Sequence, residues 1–274
     1  MLEKFTYTNH VGETIEFGKD CLFVNENDLR DFAWETTTKN NKISSFRKGV
    51  VSKTIPIILK CKNEADGVKL RNRLFEVCEK DVLAMEYGKI YIGDYYLQCY
   101  VTENKKSQYL VHKSYMLIEL RVQTDLPMWV RETTTSHKMG EVSTELYLDA
   151  LFDYPHDFKN DITNTQMNNE NFVASNFIIT IYGYAQNPEL SIGGHKYGVD
   201  VIVGIDEYLT IDSIKKTIVL TRVGGEKVNC FNNRQRDSYI FEKIPPGFTK
   251  ITSPKGELAF DITLLEERSE PKWT

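Results

Sequence analysis

The stretch Ile240–Trp273, IFEKIPPGFTKITSPKGELAFDITLLEERSEPKW, decides how the rest of the chain is read. It divides into a strand, a Pro245-Pro246-Gly247 break, a further strand and a charged end closed by Pro271-Lys272-Trp273. Proline fixes φ and offers no N–H to a ladder, so the break ends one strand before the next begins. This is the pattern of the carboxyl end of a β-domain, and it carries no chemistry of its own. The run Glu266-Glu267-Arg268-Ser269-Glu270 belongs on the surface.

Upstream, strands recur at short intervals. Phe177–Tyr184 is apolar and aromatic, Asn187-Pro188 turns the chain, and Gly193-Gly194, Gly224-Gly225 and Gly256 break further runs. Strands are expected near Val199–Val203, Tyr208–Ile211, Thr217–Arg222 and Leu258–Leu264. Many short strands with regular turns argue for a sandwich or barrel. The Asn-rich stretch Lys159–Asn171 reads as a long loop. Glu132–Met139 (ETTTSHKM), polar and β-branched, is the best candidate for a domain boundary.

The first half holds one good helix. Asn63 can cap it and Asp66 suits its first turn. Ala65, Val68, Leu74, Phe75 and Cys78 fall near one face at a period of 3.6. Strands surround it. Thr54–Lys60 reads as buried, with Pro56 pushing it toward an edge or a bulge. Lys89–Val101 (KIYIGDYYLQCYV) predicts a hairpin turning at Gly93-Asp94. In Tyr115–Gln123, Met116, Ile118, Leu120 and Val122 share one face. The fold class is therefore mainly β, with residues 1–140 a β-domain carrying one α-helix and residues 141–274 nearly all β.

A chain of 274 residues with 41% hydrophobic and 27% charged content can bury a sizeable core. The net charge of −5 gives no general pull toward nucleic acid. Ten basic residues nevertheless lie between Lys39 and Arg73, namely Lys39, Lys42, Arg47, Lys48, Lys53, Lys60, Lys62, Lys69, Arg71 and Arg73, against only Glu64 and Asp66. The aromatic interleaving of a single-strand binder is missing there. A solvated face, or half of a charge-complementary protein contact, fits better. Cys21, Cys61, Cys78, Cys99 and Cys230 form no CxxC and read as buried free thiols. The start, MLEKFTYTNHVGE, has no signal-peptide run, no segment nears the ~20 apolar residues of a membrane helix, and no membrane partner is expected.

No arrangement of chemistry stands out. His10, His112, His137, His156 and His195 lie in no ligand pattern, and the adjacent His156-Asp157 would point to opposite faces of a strand. There is no GxSxG elbow and no GxxxxGK[ST] loop, and the paired glycines serve hairpin turns. Carboxylates are abundant, but nothing singles out a pair for glycoside hydrolysis. No catalytic, cofactor-binding or metal-ligating residue is assigned, and no cofactor is expected.

Taken in order, several segments resemble the distal tail protein (Dit) family of long-tailed, non-contractile phages and prophages of Gram-positive bacteria. They are Asn72-Arg73-Leu74-Phe75, Asp81 and Tyr91–Leu97, then Phe152-Asp153-Tyr154-Pro155, Ile181-Tyr182-Gly183, Asn187-Pro188 and Glu207–Asp212, and finally Ile244–Gly247 and Phe260–Leu264. The resemblance implies a belt domain at 1–140 that forms a homo-hexameric ring, and a galectin-like β-sandwich at 141–274. It implies a structural, non-enzymatic component of the virion tail tip or baseplate, a hub between tail tube and tip. The implied partners are further copies of the chain, the tail tube protein, the tail-associated tip protein, the tape measure protein and a receptor-binding protein, with DNA passing through the channel without specific binding. Strand addition to a neighbour's sheet could close such a ring, and Lys89–Val101 and the loop Asn40–Val51 are the candidate intersubunit arms. A carbohydrate-binding β-sandwich is the alternative, and an enzyme acting on cell-wall polymer is a third reading; neither is given residues by the sequence.

Overall fold

Apolar side chains alternating at i and i+2 build most of this chain. The computed structural model describes residues 4–108, 112–139, 165–253 and 258–273. It divides into two units, Met1–Arg131 with Glu267–Thr274, and Glu132–Glu266. The division thus falls at 131/132 rather than 140/141, and the final residues return to the first unit.

The first unit contains β1 (Phe5–Thr8), β2 (Thr14–Phe17), β3 (Leu22–Val24), β4 (Glu35–Lys39), β5 (Lys42–Arg47), β6 (Val51–Lys60), α1 (Glu64–Ala84), β7 (Gly88–Ile92), β8 (Tyr95–Ser107) and β9 (Tyr115–Thr124). β2, β1, β7 and β8 pair in that order, all antiparallel. The long β8 serves two ladders: Tyr95–Cys99 pairs with β7, and from Tyr100 on, across a bulge between Val101 and Glu103, it pairs with β9, which pairs in turn with β6, and β6 with β3. Phe5 stacks on Phe17, and Ile55, Ile57, Leu59, Met116, Ile118, Leu120 and Val122 fill the core. β6 has neighbours on both sides only over Ile57–Leu59, and Pro56 sits where β3 ends and that side becomes an edge, as its sequence signal suggests. Its carbonyl accepts from Asn25 N at 3.0 Å. The return bond to Asn25 would need the N–H that proline lacks, and the β3 ladder stops there.

Helix α1 begins as the sequence predicts: Asn63 Oδ1 accepts from Asp66 N at 2.8 Å. Its buried face differs from the one expected. Gly67, Leu74, Val77, Cys78 and Asp81 turn inward, while Ala65, Val68 and Phe75 are exposed. The reason lies in the last turn. Asp81, fully buried, accepts from the Tyr7 hydroxyl, from His10 N at 2.8 Å and contacts His10 Nδ1 at 2.6 Å. That carboxylate fixes the helix rotation, and Leu74, Val77 and Cys78 follow it at spacings of seven, four and three. Burial, then the Asp81 hydrogen bond, pushes the Tyr7 phenol far above its usual range, so it stays a donor.

The second unit contains most of β10 (Trp129–Met139), then β11 (Thr165–Asn169), β12 (Asn176–Tyr182), β13 (Ala185–Gln186), β14 (Glu189–Ile192), β15 (His195–Gly198), β16 (Ile202–Val203), β17 (Tyr208–Asp212), β18 (Thr217–Thr221), β19 (Lys227–Asn229), β20 (Gly247–Thr252) and β21 (Leu258–Arg268). One sheet runs β19–β18–β17–β12–β21–β10, the other β11–β20–β14–β15, with β13 and β16 a separate pair. Phe177, Ile179, Ile181, Leu209, Ile211, Ile218, Leu220, Phe260 and Ile262 meet Leu190, Ile192, Tyr197 and Ile251 in one core, a β-sandwich. Phe177 and Tyr197 meet edge to face with centroids 5.1 Å apart.

The units divide at 131/132, at the start of Glu132–Met139, and that segment is itself strand, because β-branched threonines suit a ladder: Thr134 and Thr263 hydroxyls meet at 2.8 Å across it. One expectation fails here for a physical reason. The Asn-rich segment is not all loop. Thr165–Asn169 pairs with β20, and Asn169 Nδ2 donates to the carbonyls of Ile244 and Pro245 at 2.9 and 3.1 Å. Asn169 and Asn171 are buried and join Ser175 in the same network. Ile240–Ile244 yields only a bridge from Ile244 to Ser175, and Val199–Val203 a bridge from Val199 to Arg234 and the two-residue β16. Gly256 and Phe152–Pro155 lie outside the described residues.

Gly88 lies against the Asp81 cluster. A Cβ there would stand 2.3 Å from both Asp81 Oδ2 and the Tyr7 hydroxyl. Gly88→Ala is expected to destabilise the protein by about 3 kcal/mol, read as a lower urea midpoint, whereas Gly49→Ala, which meets only the flexible end of the Glu35 side chain, should lose less than half as much.

Candidate assembly surface

Two features among the described residues have the look of a site: the Tyr7–Asp81–His10 cluster and a cleft on the first unit. The cluster is consumed by structure: both carboxylate oxygens are occupied by groups that tie β1 and its turn to α1. Of the thiols beside it, Cys78 is pushed up to about 12 and Cys99 higher still, in each case chiefly by burial, so both remain protonated. The cleft, about 410 Å³, lies between β2, β3 and α1, with Cys21, Cys61, Leu70 and Arg73 among its lining. Cys61 there is also pushed up to about 12, mainly by burial and then by its contact with the Cys21 thiol. No group of three His, Cys, Asp or Glu side chains among the described residues could hold a metal ion. His156 and Asp157 lie outside them.

The basic run is not one patch. Lys53 is buried, with Nζ donating to the carbonyls of Asp28 and Asp31 at 2.7 and 2.6 Å, and burial pulls its pKa down. Arg71 donates to the carbonyls of His112 and Tyr115, and Arg73 to that of Thr14. Lys39, Lys42 and Arg47 are set apart from these on the β4–β5 hairpin.

That hairpin is the most distinctive surface of the first unit. β4 and β5 pair only with each other, and every residue of both strands is exposed. Asn40 and Asn41, both at positive φ, form its tip. A bulge between Thr37 and Thr38 shifts the register so that Ile43 faces Thr38 and Phe46 faces Thr36. Thr36 and Thr38 share a face, so the bulge brings Ile43 and Phe46 together on it. Phe46 is 61% exposed and Ile43 57%. The opposite face carries the Glu35–Arg47 ion pair at 2.8 Å and the two lysines facing each other beside the tip. A two-stranded hairpin with an uncovered apolar face gains little alone, so its stability calls for a partner.

The hairpin's root is anchored. Lys48, just after β5, donates to Pro127 O at 3.1 Å and to Ser269 Oγ at 2.8 Å, and lies 4.8 Å from the Trp34 ring centre. The closing Pro271-Lys272-Trp273 also has a place: Arg30 donates to Pro271 O at 3.0 Å and lies 3.9 Å over the Trp273 ring. Arg30, Trp34 and Lys48 carry no sequence signal of this role, because their partners lie far away in the chain. Of the two arm segments read from sequence, Lys89–Val101 cannot serve. β7 lies between β1 and β8, and alternate residues of the hairpin are core, so it has no open edge to offer. Asn40–Val51 overlaps the projecting hairpin, whose bounds are 35–47. In the second unit the exposed Tyr182 and Tyr208 rings pack together at 6.3 Å and the Tyr182 hydroxyl donates to Asp261, which explains them as a cross-strand pair.

Burial, with the charge of Lys53 adding to it, lowers Lys48 from 10.5 to about 8. Below pH 8 its ammonium is charged in folded and unfolded chains alike, and its burial subtracts from stability. Between pH 8 and 10.5 only the folded chain sheds the proton, so this penalty shrinks and stability rises with pH. Urea unfolding at pH 7 and pH 9.5 should therefore show a smaller gain, or a larger loss, in Lys48→Met than in the unsubstituted chain.

No protein-family model and no curated protein matches the sequence. Solved structures do. The crystal structure of SPP1 Dit, described as a paradigm of the hub adsorption apparatus in phages infecting Gram-positive bacteria, is 12% identical with a TM-score of 0.61, covering 96% of this chain and 98% of that one. A chain of the phage P2 baseplate in its activated conformation with Ca is 11% identical at a TM-score of 0.60, covering 99% and 100%. A chain of the phage p2 baseplate with Sr is 11% identical at 0.57, covering 95% and 97%. At such identity the likeness is one of fold, over nearly the whole length of each chain.

Proposed function

We propose that this chain, which has the fold of SPP1 Dit and of the baseplate chains, is a structural component of a phage tail tip. It assembles with itself into a hexameric ring that joins the tail tube to the tip and serves as the hub for host-binding parts. Its neighbours are the tail tube protein, the tail-associated tip protein, the tape measure protein and a receptor-binding protein, and DNA passes through the channel without specific contacts. It turns over no substrate.

One observation supports this reading most directly: a hairpin exposed on both faces, apolar on one and anchored at its root. A closed ring needs each subunit to offer two unlike surfaces, one to each neighbour. A projecting arm is such a surface. The buried thiols and the consumed Asp81 cluster fit a scaffold better than a site of bond cleavage.

Replacing Glu35–Arg47 by two glycines removes the arm and leaves the core strands intact. We expect the variant to melt within about 3 °C of the parent and to form no rings in negative-stain images of concentrated protein, alone or with purified tail tubes. Rings of unchanged size would refute the arm as a ring contact.

A further inference from the structure

Helix α1 has an outward face that the fold leaves uncovered. Val68, Phe75 and Val82 are spaced by seven residues, which puts them on one line along the helix. They are 40%, 52% and 36% exposed. The helix's inward face is satisfied by Leu74, Val77, Cys78 and Asp81. Three of its four basic residues turn toward the unit itself: Lys80 pairs with Glu13 at 2.7 Å, Arg73 donates to Thr14 O at 2.9 Å and Arg71 to Tyr115 O at 3.0 Å, while Lys69 is exposed. Beside the apolar line lie the exposed Glu79, one turn from both Phe75 and Val82, and Glu86, just past the helix.

The β4–β5 hairpin is its complement. It offers Ile43 and Phe46 on one face, and over Glu35–Arg47 it carries three cations against one carboxylate, which Arg47 already holds. Lys39 and Lys42 stand directly opposite each other, an arrangement that repels until an anion joins it. Their long stems let the ammonium groups reach past the hairpin edge. Within one chain both surfaces are exposed, so the hairpin does not lie on its own helix. Two unlike, mutually fitting patches on each copy are what a closed head-to-tail ring requires.

We propose that the line of Val68, Phe75 and Val82 on α1 receives the Ile43–Phe46 face of the β4–β5 hairpin from a second copy of this chain. This rests on the ring reading above. Lys39 and Lys42, on the hairpin's other face, reach Glu79 and Glu86 of the receiving helix only across the hairpin edge, so the apolar contact carries the interface and its salt dependence is small.

The test pairs a cross-link with a substitution. Chains carrying Phe46→Cys and Phe75→Cys, one half labelled with ¹⁵N, are mixed, concentrated with and without tail tubes, and oxidised with a small-molecule disulfide. Peptide mapping should find a 46–75 link joining light to heavy chains, and a non-reducing gel should show a ladder up to six. Phe75→Asp, on an exposed helix position, should melt within about 3 °C of the parent yet lose the oligomer. If Phe75→Asp still forms rings, or rings form without the 46–75 link between copies, the helix is not the receiving surface and the ring reading stands. If the parent chain forms no oligomer at any concentration, alone or on tail tubes, the ring reading itself fails.

Discussion

The carboxylate of Asp81 ties the last turn of α1 to β1 and to the turn that follows it. Burying a charge costs several kcal/mol unless donors surround it, and here the Tyr7 hydroxyl, His10 N and His10 Nδ1 do so. A carboxylate only accepts, so Nδ1 carries the proton in this contact. The cluster leaves no space at Gly88, which opens β7. Toward the other end Arg71 donates to the carbonyls of His112 and Tyr115, and Gly67 packs against the Lys113–Ser114 backbone, so the helix is tied down along its length. The outward line of Val68, Phe75 and Val82 is a consequence of that fixation, and so is the burial of Leu74 and Val77.

The same dependence explains what the sequence could and could not disclose. The helix, its cap, the Gly93-Asp94 hairpin and the alternation of Tyr115–Gln123 are local patterns, and each appears where its residues predict. The rotation of α1 is not local. Its apolar residues cover most of the circumference, and the choice between faces is made by Tyr7 and His10, some seventy residues earlier. The Asn-rich stretch misled for a related reason. Asparagine in number suggests solvent, yet Asn169 and Asn171 are buried because two carbonyls of the Ile244-Pro245 segment and the Ser175 hydroxyl need partners. Strands β1 to β5 were invisible because they are short and three of them have only three or four residues.

The hairpin arm combines features that would be faults in an isolated protein. It pairs no third strand, shows aromatic surface to water and sets two lysines face to face. In the contact proposed above, the exposed Val68, Phe75 and Val82 of a second copy would cover its apolar face. Lys48 and Trp34 hold its root to the folded core, so the arm's direction is set before any partner arrives. Preorganisation of this kind lowers the ordering cost of association. The bulge at Thr37/Thr38 has the same consequence at smaller scale, since without it Ile43 and Phe46 would point to opposite sides.

The first unit brackets the second in the chain, with Arg131 on one side and Glu267 on the other. The segment between is an insertion held by two covalent tethers rather than one. Exchange of that segment for another sandwich of similar span would leave the arm, the helix and the Asp81 cluster untouched. The second unit can thus vary in sequence without rewriting the residues that build the first.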